Sequence, residues 1–233
     1  MMDIDLIKKE WQWVEEFIRN TGRPKRLFKI DSSKTAFVVM DMQNAFVAPG
    51  STLELPEARA IVPNINKLAQ TCRSAGIPVI WLVSRFRSKA EWGLIATFEP
   101  GSPMDTNRET PMDELSWDAE GTRIWPDLEV DAEKDYEVVK CRYSAFINGS
   151  SNLERLLRTL GRDHLVMTGL ATNVCLGTSA MDAMMLDFKV TVVSDATVAF
   201  TDFLQQAFLM NLKIVFADVV TSAEILEETK HLH

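Results

Sequence analysis

The chain has 233 residues, of which 46% are hydrophobic and 25% are charged, and this balance is typical of a globular protein with a large buried core. Its net charge of −8 argues against a general affinity for nucleic acid or for an anionic membrane surface. No apolar stretch approaches the roughly 20 residues that cross a bilayer. Three widely spaced cysteines are typical of reduced thiols in the cytoplasm, where we expect the protein to reside.

Segments with the spacing of strands and helices alternate along the chain, which is the signature of a parallel sheet covered by helices. The predicted elements are, in chain order, helix 4–20, strand 35–40, helix 58–75, strand 79–83, strand 136–139, helix 152–160, strand 164–168, helix 179–187, strand 189–193, helix 203–212, strand 214–217 and helix 222–229. We therefore expect a single α/β domain over residues 1–233, with a doubly wound, about six-stranded parallel sheet and helices on both faces.

Two further segments flank this predicted core. Apolar side chains recur at helical spacing from Ile4 to Ile18, so residues 1–30 are expected to form an N-terminal helical extension. Residues 85–126 make a long connection that contains several prolines and tryptophans. Long connections inside compact domains are usually functional, and we expect this insertion to shape a pocket or an oligomer interface.

Cys175 is the most informative single residue. An apolar run that indicates a buried strand precedes it, and a run of helix-forming residues follows, so it lies in the first turn of a helix. Unpaired N–H groups and the positive end of the helix dipole favour a thiolate there, which is the nucleophilic form. The position alone is equally that of a small buried cysteine that only packs.

Two charged residues end other predicted strands. Asp41 directly follows strand 35–40, and Lys140 follows strand 136–139. The carboxyl ends of parallel strands lie along one edge of a sheet, so both side chains can meet Cys175 there. A carboxylate can take the thiol proton and return it to a leaving amine, while an ammonium stabilises the developing anion. In isolation, either residue also fits a capping acid or a surface lysine.

Residues for other kinds of site are scarce. Of the three histidines, His231 and His233 lie at the end of the chain, and His164 begins a strand at the edge opposite its carboxyl end. The sequence has no Cys-x-x-Cys spacing and no Gly-x-Gly-x-x-Gly after the first strand. We therefore expect neither a metal nor any other cofactor.

Three motifs, in this order, resemble those of the isochorismatase-like cysteine hydrolases. They are Val38-Val-Met-Asp41-Met-Gln-Asn-Ala-Phe46, Lys140-Cys-Arg-Tyr-Ser-Ala-Phe146 and Thr168-Gly-Leu-Ala-Thr-Asn-Val-Cys175, with Val193-Ser-Asp195-Ala-Thr as a weaker fourth. The resemblance covers about residues 35–220. It implies a six-stranded, doubly wound sheet of the Rossmann type and a homo-oligomer, often a dimer or tetramer.

The resemblance also implies a catalytic triad. In it, Asp41 is the general base and then the acid, Lys140 gives electrostatic support, and Cys175 is the nucleophile. A cis peptide bond is implied between Leu170 and Ala171. The backbone N–H groups of Ala171 and Cys175 would then form an oxyanion hole.

Differences within the family narrow the expected activity. Members that cleave isochorismate lack the nucleophilic cysteine, and nicotinamidases carry a histidine-containing metal site between the first two motifs. Here Cys175 is present, and no histidine lies between Asp41 and Lys140. The motifs look most like those of ureidoacrylate and N-carbamoyl amidohydrolases. This resemblance implies a small-molecule substrate with a non-peptide linear amide, ureido or carbamoyl C–N bond.

Four residues are candidates for substrate binding: Gln43 and Asn44 after Asp41, Arg142 after Lys140, and Trp92 in the long connection. An amide can bind an amide or a carboxylate, and a guanidinium can hold a carboxylate with two hydrogen bonds. Each of the four could instead order its loop or pack in the core. A non-catalytic binding module, and a transferase or hydrolase acting on another small acyl group, stay open as alternatives.

Overall fold

A parallel sheet forms the centre of the molecule in the computed structural model, which describes residues 4–87 and 111–232. Its strand order is β3-β2-β1-β4-β5-β6, and every neighbouring pair is parallel. The strands are β1 Thr35–Met40, β2 Val79–Ser84, β3 Tyr136–Lys140, β4 His164–Leu170, β5 Lys189–Val198 and β6 Asp218–Val220. This confirms the predicted doubly wound α/β fold.

Helices cover both faces of the sheet. They are α1 Ile4–Asn20, α2 Asn44–Val47, α3 Ala58–Ser74, α4 Pro111–Glu114, α5 Leu153–Thr159, α6 Cys175–Met185, α7 Asp202–Asn211 and α8 Ser222–Thr229. Successive residues of β1 point to opposite faces. Phe37 therefore packs in the core beneath α3 and α8, whereas Val38 packs in the core beneath α5, α6 and α7. Since both faces are covered, all of β1 is buried, as its continuous apolar run predicts.

The last strand lies later in the chain than predicted. The apolar run Ile214–Ala217 was expected to be a strand, but Leu212–Phe216 forms a π-helical turn that continues α7. The strand is Asp218–Val220, which pairs with β5. A short apolar run has no periodicity that separates a buried strand from a buried helical turn, which explains this error.

The N-terminal segment is tied to the edge of the sheet. Helix α1 packs Val14 and Ile18 against Met210 of α7. After α1, the backbone N–H groups of Leu27 and Phe28 both donate to Oδ2 of the buried Asp218, at 2.8 Å each. Within residues 4–87 and 111–232, no helix has the length and apolar character needed to cross a membrane.

The long connection is described only in part. Residues 111–126 contain α4 and the 3₁₀ turn Glu120–Thr122, which lies beside α2. Trp92, one of the predicted substrate-binding residues, falls outside the described residues.

Candidate active site

The predicted catalytic residues meet where the strand order reverses. From β1 the chain builds the sheet outward to β2 and β3, and from β4 it builds the other half, so β1 and β4 are neighbours at the centre. In such sheets a crevice opens beyond the carboxyl ends of these two strands. Asp41 follows β1, and Cys175 lies five residues after the end of β4 and begins α6. Asp41 has φ of +52°, a sparsely populated conformation that is typical of functional sites.

Lys140 joins the other two members of the predicted triad. Its Nζ lies 2.9 Å from Oδ2 of Asp41 and 3.4 Å from Sγ of Cys175. The exposed fractions of Lys140 and Asp41 are 1% and 0%, and that of Cys175 is 9%. Burying an isolated charge is costly, so the ammonium and the carboxylate depend on each other for their stability in this site.

The resting thiol is protonated. Burial raises the pKa of Cys175 to about 12, with Lys140 opposing this rise and Asp41 adding to it. Burial alone would lower the pKa of Lys140, but its interactions with Asp41, chiefly the carboxylate charge, and with Cys175 outweigh burial and raise that pKa above its usual value. The start of α6 therefore does not produce a resting thiolate, contrary to the expectation from its position. The site instead holds a thiol beside a carboxylate and an ammonium.

Ser84 is a member of this cluster that the sequence analysis missed. It ends β2 and pairs in register with Lys140. Its Oγ donates to Oδ1 of Asp41 at 3.0 Å and accepts from Nζ of Lys140 at 2.8 Å. The predicted strand ended one residue earlier, at Val83. A polar residue directly after that apolar strand was the signal that could have identified it.

The side-chain amide of Gln43 is held by protein groups. It is buried, and its Nε2 donates to the carbonyl oxygens of Ser84 and Thr122, at 3.0 and 2.9 Å. Its Oε1 accepts the N–H of Ser84 at 2.7 Å. Both donors of the amide and its oxygen are therefore engaged by protein groups. Gln43 therefore supports Ser84, and its contact with substrate stays a prediction.

Asn44 and Arg142 lie next to the cluster along the chain. Asn44 donates from Nδ2 to the carbonyl oxygen of Glu120 at 3.1 Å, while its Oδ1 is buried and has no hydrogen bond within the described part of the chain. Arg142 accepts from Lys140 through its carbonyl oxygen, at 3.1 Å. Its Nη1 donates to the carbonyl oxygen of Cys141 at 2.7 Å. Substrate binding by Asn44 and Arg142 stays a prediction.

The turn from β4 to α6 is closely packed. The peptide bond between Leu170 and Ala171 is cis, as the resemblance implied. Gly169 has φ of +98°, and a Cβ there would lie 2.1 Å from the carbonyl oxygen of Met40, so only glycine fits against β1. Thr197 donates from Oγ1 to the carbonyl oxygen of Gly169 at 2.7 Å. These contacts fix the path of the chain into Cys175.

Two backbone donors in this turn are unused. Within the part of the chain that the structure describes, neither the N–H of Ala171 nor that of Cys175 donates a hydrogen bond. Cys175 is the first residue of α6, where an N–H has no acceptor within the helix. One turn later, the buried Ser179 accepts the N–H of Ala145 at 3.0 Å, which ties α6 to the segment that follows Lys140.

His164 lies apart from the cluster. His164 begins β4 at the opposite edge of the sheet, and its Nε2 lies 2.8 Å from Oγ1 of Thr191. Burial lowers the pKa of His164 to about 4, so it is neutral near pH 7. Among residues 4–87 and 111–232, no three His, Cys, Asp or Glu side chains are grouped as a metal site requires.

Known proteins are similar to this chain in sequence and in fold. Residues 35–224 match the isochorismatase domain family. The ureidoacrylate amidohydrolase RutB of Caulobacter vibrioides is 36% identical over 222 residues, covering 87% of this chain and 94% of that protein. A cysteine hydrolase from Pseudomonas syringae pv. phaseolicola 1448A has a TM-score of 0.80 at 26% identity, covering 91% of this chain and 99% of that one. For N-carbamoylsarcosine amidase from Thermoplasma acidophilum the TM-score is 0.64 at 27% identity, with 81% and 96% covered. The resemblance carried by the three motifs is therefore confirmed, and this chain belongs to the isochorismatase family.

Proposed function

We propose that this protein is an amidohydrolase that cleaves a non-peptide linear amide, ureido or carbamoyl C–N bond through a covalent intermediate on Cys175. The observation that carries the proposal is the buried contact of Lys140 Nζ with both Asp41 Oδ2 and Cys175 Sγ. It brings a nucleophile, a proton acceptor and a fixed positive charge together in one site. The relatives named as a ureidoacrylate amidohydrolase and an N-carbamoylsarcosine amidase support this choice of bond.

The first half-reaction forms an acyl-enzyme. Asp41 takes the S–H proton of Cys175 as Sγ attacks the carbonyl carbon of the substrate. The unused N–H groups of Ala171 and Cys175 supply two donors for the oxyanion that develops. Lys140 stabilises the negative charge on sulfur during the attack. Asp41 then delivers its proton to the leaving nitrogen, the C–N bond breaks, and ammonia or an amine departs.

The second half-reaction restores the enzyme. A water molecule gives a proton to Asp41 and attacks the carbonyl carbon of the thioester or thiocarbamate. The C–S bond breaks, and Asp41 returns the proton to the sulfur of Cys175. The products are a carboxylic or carbamic acid and the original thiol, so protons balance over the cycle without a cofactor.

Ureido acids are the substrate class that we expect first. The buried Oδ1 of Asn44, three residues after Asp41, is an acceptor without a partner among the described residues, and an amide oxygen can accept from the NH₂ group of a urea. Arg142 follows Lys140 by two residues and carries a guanidinium suited to a carboxylate. These two assignments make an anionic ureido compound a better first test than a neutral amide.

Ammonia release from a panel of ureido acids and small amides tests the proposal. We expect turnover with at least one ureido acid, and a loss of about a thousandfold or more in Cys175→Ala. The matched control is Cys72→Ala, which removes another buried thiol, in α3, and should keep its turnover. Intact mass after rapid quenching should show the acyl adduct on the wild type and on Cys72→Ala only.

The alternatives predict different results in the same experiment. A transferase would form the adduct with a single release of ammonia, about one per enzyme, and would sustain this release only when an acceptor nucleophile other than water is added. A binding module would bind a ureido acid in calorimetry with no turnover and no adduct. Full activity in Cys175→Ala would exclude covalent catalysis by this residue. The homo-oligomer implied by the resemblance also stays a prediction, which size-exclusion chromatography with light scattering would test.

A further inference from the structure

Ser84 stands between the two charged members of the cluster. Strand β2 separates β1 from β3, so Asp41 and Lys140 leave strands that are roughly 10 Å apart. Ser84 ends the strand between them, has an exposed fraction of 6%, and contacts both side chains through one hydroxyl group. Its position therefore allows it to control how the carboxylate and the ammonium are oriented.

The chemistry of the ammonium fixes the direction of these hydrogen bonds. A protonated lysine has three N–H donors and no acceptor, so the Oγ of Ser84 must accept from Lys140. The single hydroxyl proton of Ser84 is then left for Oδ1 of Asp41, 3.0 Å away. The sequence of donors runs from Lys140 to Ser84 to Asp41.

The two oxygens of Asp41 consequently differ. The three N–H donors of Lys140 are directed to Ser84 Oγ, the carbonyl oxygen of Arg142 and Cys175 Sγ, at 2.8, 3.1 and 3.4 Å. None is left for Oδ2 of Asp41, which is buried and has no hydrogen bond among the described residues, although Nζ lies 2.9 Å away. Oδ1 is occupied by Ser84, whereas Oδ2 has an ion pair and a free lone pair.

We propose that Ser84 is a positioning residue that assigns these two roles: by donating to Oδ1 of Asp41, it leaves Oδ2 as the atom that takes the proton of Cys175. This inference rests on the proposed function, in which Cys175 is the nucleophile. Since Lys140 donates to Sγ, the S–H proton must point to an acceptor other than Lys140, and Oδ2 is the open acceptor in the cluster. Without Ser84, Oδ1 of Asp41 loses its hydrogen-bond donor, and the carboxylate is free to turn both oxygens toward Lys140.

Gln43 holds Ser84 in this position. Its side-chain amide hydrogen-bonds to the backbone N–H and carbonyl oxygen of Ser84 at 2.7 and 3.0 Å. These two bonds connect the end of β2 to the loop that follows Asp41. Gln43 and Ser84 therefore act together to fix the orientation of the Asp41 carboxylate. Gln43 orients Ser84, and Ser84 orients Asp41.

Steady-state kinetics of Ser84→Ala give the first test. We expect kcat to fall about tenfold to a hundredfold with KM changed by less than about threefold, because the proton acceptor is misplaced and the binding groups are not. The matched control is Ser222→Ala, which removes another buried serine hydroxyl that donates to a carboxylate, Oδ2 of Asp195, at 2.7 Å. Ser84→Thr keeps the hydroxyl and should retain kcat within about threefold. A kcat in Ser84→Ala equal to that of Ser222→Ala overturns the proposal.

A double-mutant cycle tests the inference independently of any substrate. The rate at which iodoacetamide alkylates Cys175 is measured by intact mass in the wild type, Ser84→Ala, Asp41→Asn and the double variant. If Ser84 acts through Asp41, Ser84→Ala changes the alkylation rate by about threefold or more in the wild-type background and leaves it nearly unchanged in the Asp41→Asn background. Equal effects in both backgrounds, or none in the first, refute it. This outcome is separate from the proposed function, whose failure appears as absent ammonia release from the wild type.

Discussion

Exchange of Asp41 for asparagine should have opposite effects on the ionisation of Cys175 and on turnover. The change keeps the size of the side chain and removes its negative charge. Burial is the largest cause of the raised pKa of Cys175; Lys140 lowers this pKa, and the charge of Asp41 raises it. In Asp41→Asn the effect of Lys140 is no longer opposed by a carboxylate, so the pKa of the thiol falls and the thiolate becomes easier to form.

The size of both effects follows from the site. With a pKa of about 12, compared with 9.0 for an ordinary cysteine, Cys175 is ionised in about one molecule in 30,000 at about pH 7.5. Burial persists in the variant, so only the contribution of the adjacent charge is recovered, which is about one to three pKa units. Alkylation should therefore accelerate by about threefold or more, even after the lower nucleophilicity of a more acidic thiol is included. Turnover should fall about a hundredfold to ten-thousandfold, because asparagine can neither accept nor deliver the proton.

Two measurements on one preparation check this prediction. The first is the pseudo-first-order rate of alkylation of Cys175 by iodoacetamide, and the second is ammonia release from the best ureido acid. The control is Asp195→Asn, which removes a carboxylate from β5 and should leave both rates unchanged. Slower alkylation in Asp41→Asn would show that the carboxylate promotes the thiolate rather than suppressing it, and retained turnover would show that Asp41 is not the base.

Gly177→Ala should lower both stability and turnover, because its Cβ would lie 2.4 Å from the carbonyl oxygen of Thr172 and 2.3 Å from the ring of Phe208. The start of α6 must then move, at a cost of about 1–3 kcal/mol in urea unfolding, and an unchanged midpoint would show that this contact is not tight. Burial lowers the pKa of His164 from 6.5 to about 4, so the unfolded chain binds its proton first as the pH falls. Stability that is present above about pH 6.5 should be lost by up to about 3 kcal/mol toward pH 4, and His164→Gln should remove this part of the pH dependence; identical pH profiles would contradict the assignment.

The predicted strand ends account for most of the buried cluster of Asp41, Lys140 and Cys175. β1 is a continuous apolar run that stops at Asp41, and the run before Cys175 has the same character, so both residues could be located from the sequence. Lys140 could be placed near Asp41 and Cys175 because parallel strands have their carboxyl ends on one edge of the sheet. The assignment depended only on where strands end, and this is a property of the local sequence.

The roles of Ser84 and Gln43 could not be predicted in the same way. Both depend on β2 lying between β1 and β3, and the order of strands in a sheet is not contained in the apolar pattern of any one strand. Gln43 was expected to meet substrate because it lies two residues from Asp41, yet its amide is used by backbone groups of Ser84 and Thr122. The protonated state of Cys175 could not be predicted from the sequence either. It depends on burial raising the pKa of the thiol by more than Lys140 and the helix terminus lower it.

The strand order also explains which side chains this site requires. Lys140 leaves β3, two strands away from Asp41, so its ammonium must cross the end of β2 to reach the carboxylate. A four-carbon stem is long enough for this crossing, and the residue beneath it must be small. Serine is small enough to leave room for the lysine stem, which a bulkier residue would block. Its hydroxyl also contacts both Asp41 and Lys140. The length of Lys140 and the small size of Ser84 therefore meet one geometric requirement, which is imposed by placing the carboxylate and the ammonium on strands that are not neighbours.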